Sequence, residues 1–339
     1  MRRLSEKKKK VILYGNGNEY EKHKSFMFDL FDVIAISDKK QILNNSDESN
    51  LYIKPQEIVE LEYDYLVICS NAYRDSILVF LYEIGVDFDK ILFLSEIVNA
   101  FMGKAKETYS PIINDMQMYS NGLLDNRFGV SEDHLLLINE KKDSAGAPAV
   151  HYFAQDIWVA KKIYEYNPVE HYDIASRLDG FIAHLLVFRE VNYIDIRPLP
   201  YSIEGLKYVK GDATKLDVFP DNSLESISCL HAMEHFGLGR YGDQVDPDGY
   251  KKFASAICNK IKDGGHLYLG VPVGPKDRCV FNAHRIFAIN TIIGLFNELK
   301  LVDIGIVQGN DMIVTKIDNS DYEKVKDFSC GLFEFVKTK

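Results

Sequence analysis

Short apolar runs rich in β-branched residues recur along the chain, most of them separated by segments of helical period. That alternation is what most limits the folds open to it. In the N-terminal part the runs are "KKVILYGNG", "DVIAISD", "YDYLVICS" and "DKILFLS", the last preceded by the helical "RDSILVFLYEIG". Strands buried on both faces read as continuous apolar stretches, and parallel neighbours need helical crossovers. The expectation is a small doubly wound α/β domain over residues 1–105. The pattern weakens over residues 106–150, where "EKKDSAGAPAV" is charged and then small and Pro/Gly-containing, as connectors are.

A second series opens at "HYFAQDIWVAKKIYEYNP", where Ile157, Ala160, Ile163 and Tyr164 recur at helical spacing and Asn167-Pro168 supplies a stop. Strand-like "HYDIA", "VNYIDI", "LKYVKGD", "LESISCLH", "GGHLYLGVP", "LKLVDIGIV" and "DMIVTK" follow. Helical segments separate the first six, whereas only "QGN" divides the last two, as in a hairpin. The fold class expected is therefore α/β, with two Rossmann-like domains, the second over residues 151–339.

Composition removes several functions. A net charge of −10 on 339 residues argues against a broad nucleic-acid surface, and the basic "RRLSEKKKK" at the start reads as a solvated flank. No apolar run approaches the ~18 residues of a membrane helix, and no apolar signal segment follows the first charges. Five widely spaced cysteines without a CxxC pair fit neither a disulfide framework nor a cysteine zinc site. The expected setting is the cytoplasm, with a small-molecule substrate and no nucleic-acid or membrane partner; a homo-oligomer stays open.

The second strand series, closed by its hairpin, resembles class I S-adenosylmethionine-dependent methyltransferases. "YDIASRLDG" stands where that family has its first glycine-rich loop, and "YIDIRP" puts Asp195 at the second strand's end, 22 residues after Asp173. "KGDATKLDVFPDNSLESISCLHAMEHF" is similar to the family's third and fourth strands, and "NKIKDGGHLYLGVPVG" to its fifth. More narrowly, residues 151 to 316 resemble an uncharacterised bacterial family of methyltransferase-like domains through "HYFAQDIWVA", "DIASRLDGFIAHL", "DIRPL", "CLHAMEHFGLGRYGD", "DPDGY" and "FNAHRIF". The first domain is similar in general pattern to Rossmann-like domains on bacterial sugar-modifying enzymes.

The resemblance implies S-adenosylmethionine as cofactor, with a sugar or sugar nucleotide of surface-glycan assembly as the expected acceptor. The loop with Asp173, Ala175, Ser176 and Gly180 would meet its methionine part, Asp195 the ribose, and Asp212 with Ala213 the adenine. The loop departs from the family's acid-then-glycines pattern: it keeps one glycine, is one residue longer, and adds Arg177 and Asp179. Glu234 or His235 would take a proton from the acceptor. His231 completes HxxEH, and Arg240 and Asp243 lie in a polar loop that suits a polar substrate. His284 and Arg285 follow the fifth strand, where an arginine suits an acceptor phosphate or carboxylate, or else a surface acid. His151, Gln155 and Asp156 precede the first strand, as an entrance helix or as ordinary core.

Two other readings remain at this point. HxxEH on a helix would place His231 and His235 on one face for zinc, with Glu234 as base, in a hydrolase. The strand pattern "LESISCL" just before it puts His231 at a strand end instead, and no metal is expected. A degenerate methyltransferase fold that binds a nucleotide or sugar nucleotide without catalysis is the other. In the N-terminal domain, "GNGNEY" with Asp38 21 residues after Gly17 has dinucleotide-site spacing, but Tyr20 stands at the third glycine.

Overall fold

The computed structural model describes residues 8–39, 51–101, 105–123, 126–131, 145–146, 149–309 and 312–339. The chain divides into two compact units, Met1–Asp143 and Ser144–Lys339. Among the described residues no helix is long and apolar enough to cross a membrane. Most of the basic start and most of "EKKDSAGAPAV" lie outside those residues.

In the first unit the elements run β1 (Lys10–Tyr14), α1 (Asn18–Leu30), β2 (Asp32–Ser37), β3 (Tyr52–Ile53), β4 (Tyr65–Ile68), α2 (Arg74–Glu83), β5 (Ile91–Phe93) and α3 (Leu94–Phe101). A further helix, α4 (Ala105–Gly122), stands where the sequence reads as connector. The sheet order is β3-β2-β1-β4-β5, all parallel. At the β1–α1 turn Gly15 takes φ +98°, which favours glycine, and Asp38 accepts the Asn16 amide hydrogen at 3.1 Å. Tyr20 is buried with Val11, Leu13, Met27 and Ile36, so at the third glycine position the side chain builds core.

The second unit begins with α5 (Val150–Tyr166), which buries Ala154, Val159, Ala160 and Ile163 at helical spacing. Asn167 ends it in the left-handed region at φ +48°, and Pro168, lacking an amide hydrogen, cannot extend it. Then follow β6 (Tyr172–Ile174), α6 (Ala183–Leu186), β7 (Val191–Asp195), β8 (Leu206–Lys210) and β9 (Leu224–Leu230). The remainder is α7 (Gly249–Lys260), β10 (Ile261–Val273), β11 (Arg278–Val280), β12 (His284–Ile286), α8 (Ile289–Leu295), β13 (Lys300–Val307), β14 (Thr315–Lys316) and β15 (Ser329–Val336).

The large sheet has the order β14-β13-β15-β10-β9-β6-β7-β8. From β8 to β10 its neighbours are parallel, and β15 enters antiparallel between β10 and β13. This is the α/β class expected, with the methyltransferase-like, mostly parallel layout. The terminal hairpin needs correction. β13 does pair with β14, but "DMIVTK" contributes only Thr315 and Lys316, and the long partner is "SCGLFEFV", seven of whose eight residues are buried. A short connection favours the local hairpin, yet only a strand buried on both faces satisfies both β10 and β13. The core under this sheet gathers Ile174, Ile194, Ile227, Phe253, Leu267, Phe296, Phe333 and Phe335.

Candidate active-site cleft

The carboxyl ends of β6 to β9 and the loops after them enclose a cleft of about 870 Å³, the size of a small-molecule site. It lies where strand order reverses, since β6 has β7 on one side and β9 on the other. Crossovers leave such a point in opposite directions and open a crevice.

The first loop is held by a buried acid rather than by glycines. Asp173, fully buried, accepts hydrogen bonds from the Ser176 amide (3.0 Å), the Ser176 hydroxyl (2.7 Å) and the Ser228 hydroxyl (2.5 Å). Burial pushes its carboxyl up to about 6 against the lowering effect of these bonds. Ser228 also meets His171, whose other nitrogen meets Ser226; burial, aided by Arg189, pushes this imidazole down to about 3. Ala175 adopts φ +55°. It keeps the left-handed turn a glycine would make, at a cost of roughly 1–2 kcal/mol.

The extra residue of this loop is absorbed in one wide turn, Leu178–Ile182, where the Ile182 amide reaches the Arg177 carbonyl. Arg177 and Asp179 pair with each other at 2.9 Å along the rim. Gly180 is not in the cleft wall. A Cβ there would stand 2.6 Å from Asp156 Oδ2, so its bareness admits a buried carboxylate whose burial raises its pKa.

Asp195 and Asp212 both line the cleft, as does Ala213. Asp195 accepts from the Arg197 amide (2.8 Å) and from its guanidinium at Nε (3.0 Å) and Nη2 (2.7 Å). Asp212 accepts from the Thr214 amide and hydroxyl and pairs with Lys215 at 3.0 Å. Asp195 Oδ2 carries one of these bonds and Asp212 Oδ2 one ion pair, which leaves acceptor capacity on each.

After β9, His231 turns at φ +52° and a single 3₁₀ turn, Met233–His235, follows. HAMEH is thus a strand end and a tight turn, and the two histidines do not share a helical face as the zinc reading requires. His231 Nδ1 lies 2.9 Å from Glu234 Oε1, both residues being buried or nearly so. Burial alone would lower this imidazole; the adjacent Glu234 carboxylate, with a contribution from Cys330, overcomes that and holds it well above its usual value. His235 differs. Its Nδ1 donates to the Ala283 carbonyl at 2.7 Å, which leaves Nε2 as the acceptor, 3.7 Å from Glu234 Oε1. Burial lowers its pKa; Glu234 opposes this, while Arg240 and His231 add to it. His284, also lowered by burial, completes this side of the wall. Among the described residues no three histidine, cysteine or acidic groups gather as a metal set.

Residues 236–249 fold into the loop beside this turn. A Cβ on Gly237 would meet the Asp246 carbonyl oxygen at 1.9 Å, and φ there is +77°. Asp243 organises the loop, accepting the amide hydrogens of Gly237, Gly239 and Tyr241. Arg285 is buried and donates to the Phe236 carbonyl at 2.7 Å, with longer contacts to those of Glu234 and Pro247. It holds the loop and is absent from the cleft wall, so neither an acceptor anion nor a surface acid is its partner. Arg240 stays exposed and donates to the Ala283 carbonyl.

Arg197, Tyr241 and Phe328 are among the wall residues that sequence reasoning misses. Arg197 sits two residues after Asp195, a spacing visible in "DIRPL". Tyr241 takes the guanidinium groups of Arg197 at 4.6 Å and Arg240 at 5.2 Å over its ring, with His235 edge-on. Phe328 stands between the rings of His151 and His284; it precedes β15, so only recognition of that strand would have found it.

Residues 7–92 match the family model described as C2185-like, N-terminal, and residues 213–328 the one described as Caenorhabditis protein of unknown function, DUF268. No curated protein matches the chain. Among solved structures, it is similar to the 1,6-didemethyltoxoflavin-N1-methyltransferase of Burkholderia thailandensis, with bound 1,6-didemethyltoxoflavin and S-adenosylhomocysteine. There the identity is 14%, the coverage 69% of this chain and 90% of that one, and the TM-score 0.41. The N-methyltransferase NodS of Bradyrhizobium japonicum WM9, in complex with S-adenosylhomocysteine, is 13% identical over 59% and 94% of the two chains, with a TM-score of 0.40. The [4+2]-cyclase SpnF is 12% identical over 70% and 96%, also at 0.40. What those proteins bind or catalyse is a property of theirs.

Proposed function

We propose that the second unit is an S-adenosylmethionine-dependent methyltransferase for a small polar acceptor, a sugar or sugar nucleotide of surface-glycan assembly, working in the cytoplasm. The observation that carries this is a single cleft at the strand-order reversal, lined together by the 174–179 loop, Asp195, Asp212-Ala213 and the HAMEH turn. The residues fit the cofactor: Ala175 keeps the left-handed turn, and Asp195 and Asp212 keep acceptor capacity.

In this reading Ser176 and the main chain of the first loop hold the methionine part, Asp195 the ribose hydroxyls and Asp212 the adenine amine. The bound cofactor supplies the methyl group. His235 takes the acceptor proton at Nε2, because the Ala283 carbonyl fixes its tautomer and burial keeps it neutral near pH 7. Glu234 stabilises the resulting imidazolium, while His231, already charged beside Glu234, is no base. Rate comes mainly from holding the acceptor oxygen or nitrogen in line. Calorimetry with S-adenosylhomocysteine tests this: binding with 1:1 stoichiometry is expected, and no heat at high protein concentration overturns it.

A second reading, nucleotide or sugar-nucleotide binding without catalysis, is favoured by the altered first loop, where Ala175 takes a glycine-like turn and Arg177 and Asp179 add bulk and charge. Methyl transfer to any acceptor would dispose of it.

A further inference from the structure

The charged side chains of the cleft can be matched residue by residue, and one cation is left without a carboxylate. Asp179 pairs with Arg177, Asp195 with Arg197, Asp212 with Lys215, and Asp246 with Lys252. Glu234 pairs with His231, and Asp243 is taken up by three main-chain amides. Every acid lining the cleft therefore has an internal partner. Among the described residues Arg240 has no carboxylate, and its hydrogen bond is to the Ala283 carbonyl, through Nη1 at 2.7 Å. A guanidinium has five N–H donors, so most of its fork is left for a ligand.

The position of that fork is fixed. His235 donates to the same Ala283 carbonyl at 2.7 Å, which ties the guanidinium to the imidazole. Tyr241 supports Arg240 from below its plane and carries Arg197 as well, so two cations share one ring. Asp195 already meets the charge of Arg197, whereas among the described residues no carboxylate meets that of Arg240. Phe328, half-exposed between His151 and His284, adds an apolar plane to the wall for an uncharged ring.

We infer that the cleft selects an acceptor bearing an anionic group, a phosphate or a carboxylate, which Arg240 binds through its free fork beside His235. The inference rests on the methyltransferase reading only in calling the bound molecule an acceptor. An anion at Arg240 sets the remainder of the molecule next to the base and gives this guanidinium the counter-ion it lacks.

The test compares glucose, glucose 1-phosphate and glucuronate, which share a ring and differ in charge, by ligand-observed NMR on the full chain at fixed ionic strength. Wild type, Arg240→Gln and Arg240→Lys are titrated in parallel, with S-adenosylhomocysteine binding measured separately by calorimetry. The expected result is that wild type binds glucose 1-phosphate or glucuronate at least tenfold more tightly than glucose. Arg240→Gln removes that preference and Arg240→Lys restores part of it, with unchanged melting because Arg240 is exposed. The preferred anion tells phosphate from carboxylate. Equal binding of all three sugars, binding of neither anion, or an anion preference that survives in Arg240→Gln overturns the inference. If S-adenosylhomocysteine does not bind but the preference depends on Arg240, the anion subsite stands and the methyltransferase reading falls. If it binds and the sugars do not discriminate, the reverse holds.

Discussion

The two units each pass from a first strand into a first helix through a short loop, and they build that loop differently. After β1 the turn relies on Gly15 at φ +98° and on Asp38 accepting the Asn16 amide from the neighbouring strand's end. After β6 the same left-handed step falls on Ala175, and the loop is pinned from beneath by Asp173 through Ser176 and Ser228. The glycine-poor loop is the one that lines the 870 Å³ cleft. A glycine count measures how cheaply a backbone turns, whereas a buried acid with three donors holds the turn just as firmly.

The largest test of that contrast is the proton balance beneath the second loop. With its pKa raised to about 6 from 3.8, folded Asp173 holds a proton that the unfolded chain has released between about pH 4 and 6, so stability falls as pH rises through that window. His171, lowered to about 3 from 6.5, acts oppositely: the unfolded chain takes a proton that the folded chain refuses, so stability falls as pH drops. In the wild type the two nearly cancel. Asp173→Asn leaves His171 alone, and unfolding free energy should then fall by up to about 1.4 kcal/mol per pH unit from pH 6 to 4. Urea melts at three pH values check this, and parallel curves for the two proteins would remove the account.

Gly180→Ala should cost about 2 kcal/mol, because its methyl overlaps an Asp156 carboxylate that is buried and has little room to move. Hydrogen exchange of α6 reads the loss. Asp195→Ala should weaken S-adenosylhomocysteine roughly tenfold to a hundredfold, the worth of hydrogen bonds to a charged group. Asp38→Ala, at the matching place in the first unit, should leave that affinity unchanged, and an effect of equal size would reverse the assignment of the units. The smallest effects come from exchanging the turn residues. Gly15→Ala should destabilise by roughly 1–2 kcal/mol, while Ala175→Gly should gain below about 1 kcal/mol, strain relief being offset by the freer unfolded chain. Thermal melts of both variants decide it.

The fold was readable wherever strands were buried on both faces. β1, β2, β4 and β5 stand in the sequence as apolar runs, and β6 to β10 as runs of apolar and β-branched residues interrupted by polar ones. β15 carries an apolar run too, but a short turn after β13 offers that strand a nearer partner in sequence. The site was readable by position and less by role. His231, Glu234 and His235 follow a strand in plain view, but how each imidazole titrates depends on how closely it meets Glu234 and on what opposes that contact. Arg285, open in the sequence to an acceptor anion or a surface acid, is instead a clamp on carbonyls, because the loop it crosses returns from 49 residues away.

Sequence alone determined the two α/β units, the strand ends that carry polar residues and the place of the loop after β6, since burial period and breaker residues are local properties. Tertiary structure decided the partners: Arg197 on Asp195, Ala283 shared by His235 and Arg240, and Phe328 brought to the cleft by β15. Those are long-range meetings or choices among several near neighbours, and a side chain's charge and free donors follow from whom it meets.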